Sequence, residues 1–400
     1  MMYERSNIMQ LPSAETFIAF DINEHGFVKT FIDLHSKDRD TATNAYLKLC
    51  RNLLLTEKSL GEYLHDMLIF SEQPLVENYL KNHDPLFFKA IEYDVDRVKE
   101  ISQFKAADLK EYLSLTFNRD MSKLPEFEQG DFPYDADYFV KHCSENGSGV
   151  FAQYKAFTFN SGEIKAVKHR DSIRLSDLKK YEAQKKQIVD NTLCFINNKP
   201  ANNVLLYGDR GTGKSSTIKA LLNEYESLRM VQLDKTQVSK IFDLYEQLRA
   251  VPLHFIIFID DLTFSEDDDG FFMFKQALDG SLAVKPDNVL IYATTNRRHI
   301  IKETAANRAE NFIHKSDAVD DNMSLSERFG LFVTFTAPNK EQFLDIAARI
   351  AQDRGINVDE ETFCSGLERF ALKRGGRSPR IAKQYVDMLE AKLSLGMEIS

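Results

Sequence analysis

Four cysteines in 400 residues are too few and too scattered for a disulfide framework: Cys50, Cys143, Cys194 and Cys364 form no close pair, so reduced thiols are expected. His142 beside Cys143 is an isolated His and Cys neighbour pair and lacks the second ligand pair a zinc site needs. Long apolar runs are missing too. Phe255 to Ile259, among the longest, falls far short of the roughly 20 residues a membrane-spanning helix requires. The first residues carry Glu4 and Arg5 without an uninterrupted apolar stretch, unlike a secretory signal. A cytoplasmic protein that spans no membrane is expected. An excess of cations is also absent. Lys plus Arg total 51 against 61 Asp plus Glu, a net charge of −10, and this disfavours nucleic acid as a general partner while leaving room for a local basic groove.

What is present is the composition of a folded protein, 43% hydrophobic and 28% charged, with a length that suggests two to three domains. Residues 1–149 read as a mainly helical N-terminal domain with a linker. Asp84-Pro85 is a helix start with a capping acid and a proline at the first helical position. Pro125, Gly130, Pro133, Gly147 and Gly149 gather in a stretch with the composition of a connecting segment. Residues 150–337 read as an α/β core. A hairpin around Asn160-Ser161-Gly162 comes first. The apolar runs NVLLY, RMVQL, HFIIFI, NVLIYATT and LFVTFT then alternate with amphipathic helices, the pattern of a five-stranded parallel sheet covered on both faces. Residues 338–400 read as a small helical lid, opened by Asn339 and Gln342 as a capping box, with Phe343, Ile346, Ala347 and Ile350 on its buried face.

The strongest chemical signal is Gly208-Asp209-Arg210-Gly211-Thr212-Gly213-Lys214-Ser215, followed by Ser216. It satisfies G-x-x-x-x-G-K-[ST] between a strand and a helix, the context in which that motif cradles phosphates. The glycines let backbone N–H groups approach phosphate oxygens at a helix N-terminus. Lys214 supplies a charge for the β and γ phosphates, and the Ser215 hydroxyl is a Mg²⁺ ligand. The third strand ends in Asp260-Asp261, at the carboxyl edge where ligands of open α/β sheets bind. Asp260 is the candidate to hold Mg²⁺; Asp261 either orients the attacking water or caps the turn. The fourth strand ends in Thr294-Thr295-Asn296, where Asn296 either touches the γ-phosphate or water or favours the turn. Arg297, Arg298 and His299 are second-rank candidates, and Glu266 to Asp269 reads as a solvated loop.

In this order, and with Ser326-Glu327-Arg328-Phe329 before the last strand and Ser378-Pro379-Arg380-Ile381-Ala382 in the lid, the motifs resemble an AAA+ ATPase over about residues 171–395. Within that class, NNVLLYGDRGTGKSS, FIIFIDDLTF and SLSERFGL closely resemble the bacterial domain-of-unknown-function eight-fifteen family. The resemblance implies ATP and Mg²⁺ as ligands, ATP hydrolysis, and a homo-oligomeric ring. It implies that Asn296 is the first sensor, Arg328 an arginine finger for a neighbouring subunit, and Arg380 the second sensor, with Arg377 as competitor. It also implies a linker helix over Asp177–Asn191 beside the adenine, to which Ile173 and Leu175 contribute. Asp261 departs from the Asp-Glu of many relatives by one methylene, which implies slow hydrolysis. The loop Leu233-Asp234-Lys235-Thr236 carries no aromatic residue, unlike substrate-threading relatives. The N-terminal domain is the expected recognition element for a protein partner.

Overall fold

The computed structural model describes residues 16–265, 269–279, 285–296, 301–302 and 328–397. The chain forms two compact units, Met1–Gln153 and Tyr154–Ser400. No helix among the described residues is long and apolar enough to cross a membrane.

The first unit is built from helices α1 (Gly26–Asp33), α2 (Arg39–Thr56), α3 (Leu60–Ile69), α4 (Pro74–Asn82), α5 (Pro85–Ser102), α6 (Ala106–Phe117), α7 (Ala136–Asn146) and α8 (Gly149–Gln153). Side-chain caps set their starts. Asp38 accepts from Thr41 N–H before α2, Ser59 and Glu62 form a capping box on α3, and Asp84 with Pro85 opens α5. Residues 121–149 have a linker's composition, yet Ala136–Asn146 forms α7 and residues 121–135 pack within this unit. The N–H groups of Leu60 and Gly61 donate to Glu128 O and Gln129 O, both at 2.8 Å, and Met121 and Phe132 are buried in the core. Composition counts turn-forming residues and is blind to such long-range backbone pairing. The buried Asp94 carboxylate ties the start of the chain to α5 by accepting from Ile18 N–H at 2.8 Å and Ala19 N–H at 2.6 Å.

The second unit is a sheet with helices and a lid. Its strands are β1 (Ala156–Asn160), β2 (Glu163–Ala166), β3 (Val204–Gly208), β4 (Leu228–Leu233), β5 (His254–Ile259), β6 (Val289–Thr295) and β7 (Leu331–Phe335). They form one seven-stranded sheet in the order β2-β1-β4-β5-β6-β3-β7. The five apolar runs are β3 to β7, all parallel. The sheet is larger than the expected five strands because the hairpin joins it: β1 pairs parallel with β4, and β2 pairs antiparallel with β1. Phe157 and Phe159 drive this addition, being almost fully buried beside what is otherwise an open edge. Ser161 and Gly162 both take positive φ in the two-residue turn, as the twist of such hairpins requires.

Helices α9 (Glu182–Ile196), α10 (Lys214–Glu224), α11 (Ile241–Arg249) and α12 (Asp269–Asp279) connect and flank the strands. Ile218, Leu221 and Leu222 of α10 are buried in the core, with Tyr225 packed at its edge. The helix expected over Asp177–Asn191 begins later, at Glu182. It is preceded by a single 3₁₀ turn, Leu175–Asp177, and by Lys180 and Tyr181 in left-handed conformation. Tertiary contacts override helix propensity there: the Tyr181 hydroxyl donates to Thr336 O at 2.7 Å and its ring packs 5.1 Å from that of Phe335. The lid comprises α13 (Lys340–Asp353), α14 (Glu360–Lys373) and α15 (Pro379–Ser394). Asn339 and Gln342 form the expected capping box. Phe343, Ile346 and Ala347 enter the lid core, with Ile350 partly buried against it.

Candidate functional site

The sheet order creates the site. From β3 the chain crosses to β4, returns through β5 and β6, and then places β7 on the other side of β3, so β3 is the switch point at whose carboxyl end a crevice opens. Register brings the polar strand ends level. Ala293 of β6 faces both Leu205 of β3 and Ile259 of β5, so the residues after it stand between the end of β5 and the loop after β3.

That loop runs from Gly208 into α10. Gly208 has φ 132°, and a Cβ there would stand 2.0 Å from Phe335 O, so only glycine lets β3 and β7 close up at this point. The Thr212 hydroxyl donates to Asp209 O at 2.8 Å, and the Asp209 carboxylate accepts from Ala337 N–H at 2.6 Å. Lys214 opens α10 and is 5% exposed. Its ammonium donates to Gly208 O and Asp209 O at 2.8 Å and to Asn296 Oδ1 at 2.9 Å, which uses all three of its protons. Burial pushes the Lys214 pKa below that of an ordinary lysine, against the pull of Asp209, Asp260 and Asp261.

A second set of bonds joins the strand ends. Ser215 Oγ donates to Asp260 Oδ1 at 2.5 Å, as does Thr294 Oγ1 at 2.6 Å. Asn296 turns its amide so that Oδ1 accepts from Lys214 while Nδ2 donates to Asp261 Oδ1 at 2.8 Å. Lys214, Ser215, Asp260, Asp261 and Asn296 therefore meet in one network.

Above the loop lies a cleft of about 690 Å³, floored by Gly211, Thr212, Gly213 and Ser216 and walled by the segment 171–181 and by lid helices α13 and α15. Ile173, Leu178, Ile346 and Ile350 give it an apolar side; Arg354, Arg380 and Lys383 give it a cationic one. The lid touches the loop directly, with Arg380 N–H donating to Gly211 O at 3.2 Å. Lys179 and Lys180 bind the lid through ion pairs to Asp353 and Asp345 of α13. The site fits a magnesium nucleotide. A Cβ on Gly213 would meet nothing within 4 Å, so the loop backbone faces open cleft. The Ser215 and Asp260 oxygens form the all-oxygen donor pair that Mg²⁺ prefers.

Residues 152–393 match the family described as "Protein of unknown function (DUF815)". The chain belongs to this DUF815 family. Its core is a mostly parallel sheet with flanking helices and a helical lid. In three dimensions it is similar to the Thermotoga maritima RuvB Holliday junction branch migration motor, at 16% identity and a TM-score of 0.39, over 56% of this chain and 66% of that one. A variant of the same Thermotoga maritima motor aligns at 15% identity and a TM-score of 0.40, over 57% and 67%. The chain thus spans slightly under two thirds of the motor's length in the first of these alignments. No curated protein matches the sequence.

Three candidate arginines of this DUF815 chain stand outside the network. Arg328 precedes β7, whose Leu331 faces Val204 and whose Phe335 faces Gly208. It therefore lies at the amino end of the sheet, and the four steps from Leu331 to Phe335 alone span roughly 13 Å. Arg377 is bonded to Glu368 at 2.7 and 3.1 Å, whereas Arg380 lines the cleft. Ile173 lines the cleft as well; Leu175 packs instead on the sheet core. Glu266, Asp267, Asp268, Arg297, Arg298, His299, Ser326 and Glu327 lie outside the described residues. Thr294, Lys179 and Lys180 were not singled out by sequence. The signal for Thr294 is its place at the polar end of β6, two residues before Asn296.

Proposed function

We propose that this protein binds ATP with Mg²⁺ in the cleft and hydrolyses it to drive the remodelling or switching of a protein partner. The observation that carries this reading is the Asn296 amide, bonded at once to Lys214 and to Asp261. A phosphate-binding cation and a water-orienting carboxylate are thereby held on the two faces of one side chain. Lys214 and the loop N–H groups bind the phosphates, and Ser215 and Asp260 would hold the metal, which would supply positive charge to neutralise the phosphate oxygens. Asp261 orients the water that attacks the terminal phosphorus as the bond to the ADP oxygen breaks.

Arg380 contacts phosphate from the lid of its own subunit. Arg328, remote from its own loop, serves the nucleotide of a neighbour, which calls for a homo-oligomeric ring. The first unit has its own core and no chemical motif, in keeping with partner recognition. A second reading is an ATP-gated adaptor that scarcely hydrolyses. It is favoured by Asp261, a short acid whose Oδ1 is already bonded to Asn296. A nucleic-acid loader is the weaker alternative for a chain of net charge −10. Steady-state phosphate release from Mg²⁺-ATP decides. Turnover abolished by both Lys214→Ala and Asp260→Ala supports the ATPase; tight ATP binding without turnover supports the adaptor.

A further inference from the structure

We propose that Thr294 is a positioning residue that fixes the backbone of Asp261 and thereby the aim of its carboxylate. The proposal rests on reading the site as one for triphosphate hydrolysis.

Asp261 has φ 52°, a left-handed conformation uncommon for residues with a Cβ, although aspartate adopts it more readily than most. What holds it there is on the neighbouring strand. Asp261 N–H donates to Thr294 Oγ1 at 3.0 Å, and the next amide, Leu262 N–H, donates to Thr294 O at 2.7 Å. One residue thus takes both amides that frame Asp261. The hydroxyl proton of Thr294 then goes to Asp260 Oδ1 at 2.6 Å. Its lone pair and its proton have different tasks: the lone pair accepts from the backbone of one aspartate, and the proton steadies the carboxylate of the other. Thr294 is 2% exposed and Leu262 fully buried, so water does not readily replace these bonds.

The geometry ties the acid that aims water to the acid that holds metal through a single hydroxyl. Thr294 is bonded to both aspartates and acts through them. Valine has nearly the shape of threonine but neither accepts nor donates. Thr294→Val leaves Asp261 N–H without its acceptor and frees the turn to relax.

The test uses the full chain and the variants Thr294→Val, Thr294→Ala and Thr294→Ser, each checked for a cooperative melt. The first readout is amide hydrogen exchange of the nucleotide-free protein. Exchange at Asp261 and Leu262 should rise about tenfold or more in Thr294→Val and Thr294→Ala and return toward wild type in Thr294→Ser, since the loss of one buried bond has that size. The second is kinetic. Misplacing a reacting group costs roughly a hundredfold, so kcat for phosphate release should fall ten- to a hundredfold in Thr294→Val, with ATP affinity in EDTA within threefold of wild type, and Thr294→Ser should restore it. Unchanged exchange at Asp261 and Leu262 in both hydroxyl-free variants overturns the proposal, as does wild-type kcat in either of them. If the wild-type chain releases no phosphate, the hydrolysis reading fails, and the exchange comparison still decides whether Thr294 holds Asp261.

Discussion

Lys214 and Asn296 are 82 positions apart in the chain and share a hydrogen bond of 2.9 Å at the mouth of the phosphate loop. The loop after β3 and the end of β6 are thereby one chemical unit, and the other hydrogen of the same amide reaches Asp261.

Removing this amide should separate binding from turnover. Asn296→Ala leaves the loop backbone and the Lys214 charge in place, so ATP affinity should stay within a few fold of wild type. The Asp261 carboxylate loses its donor, and loss of one preorganised hydrogen bond in an active site costs about a hundredfold in kcat. Phosphate release and equilibrium binding, measured on the same preparation, check both halves.

Nucleotide affinity should depend on alkaline pH in a characteristic way. Burial holds the Lys214 pKa below the ordinary 10.5, and the charged form is the one that binds phosphate. Affinity should therefore be intact while pH lies below the Lys214 pKa. It should be lost as pH rises through that value, earlier than for an exposed lysine. Isothermal titration across the alkaline range tests this, with Lys214→Arg, whose guanidinium stays charged, expected to lose the dependence.

Arg328 is expected to act between subunits. Arg328→Ala should abolish hydrolysis and spare ATP binding, because a trans arginine contributes roughly a thousandfold or more in related hydrolases. Lys214→Ala subunits keep a sound Arg328, and Arg328→Ala subunits keep a sound loop. Mixed oligomers of the two inactive variants should recover part of the phosphate release. If mixtures shown to co-assemble recover none, the trans role is wrong.

Many of the candidate site's residues were legible in sequence because they lie in short motifs at fixed offsets. Gly208 to Ser215, Asp260-Asp261 and Asn296 each sit at the end of an apolar run, and an apolar run between helices is a buried parallel strand. What sequence could not give depends on which strand lies beside which. Thr294 looks like any strand threonine until β6 stands next to β5. The hairpin with Phe157 and Phe159 looks separate until β1 is paired with β4. Residues 177–181 carry a helical pattern, and the contacts of Tyr181 with Thr336 and Phe335 explain why the helix starts at Glu182. Arg377 and Arg380 are alike in sequence and part company through Glu368, which takes Arg377 away from the cleft.

The central claim is that the loop bearing Lys214 holds the triphosphate, and the ATP-dependent melting shift measures it most directly. With Mg²⁺-ATP at 100 times its dissociation constant the folded state should gain about 2.7 kcal/mol. ATP should shift the melt more than AMP does, and Lys214→Ala should lose most of the gain. An equal ATP-dependent shift in the wild-type and Lys214→Ala proteins would contradict the account.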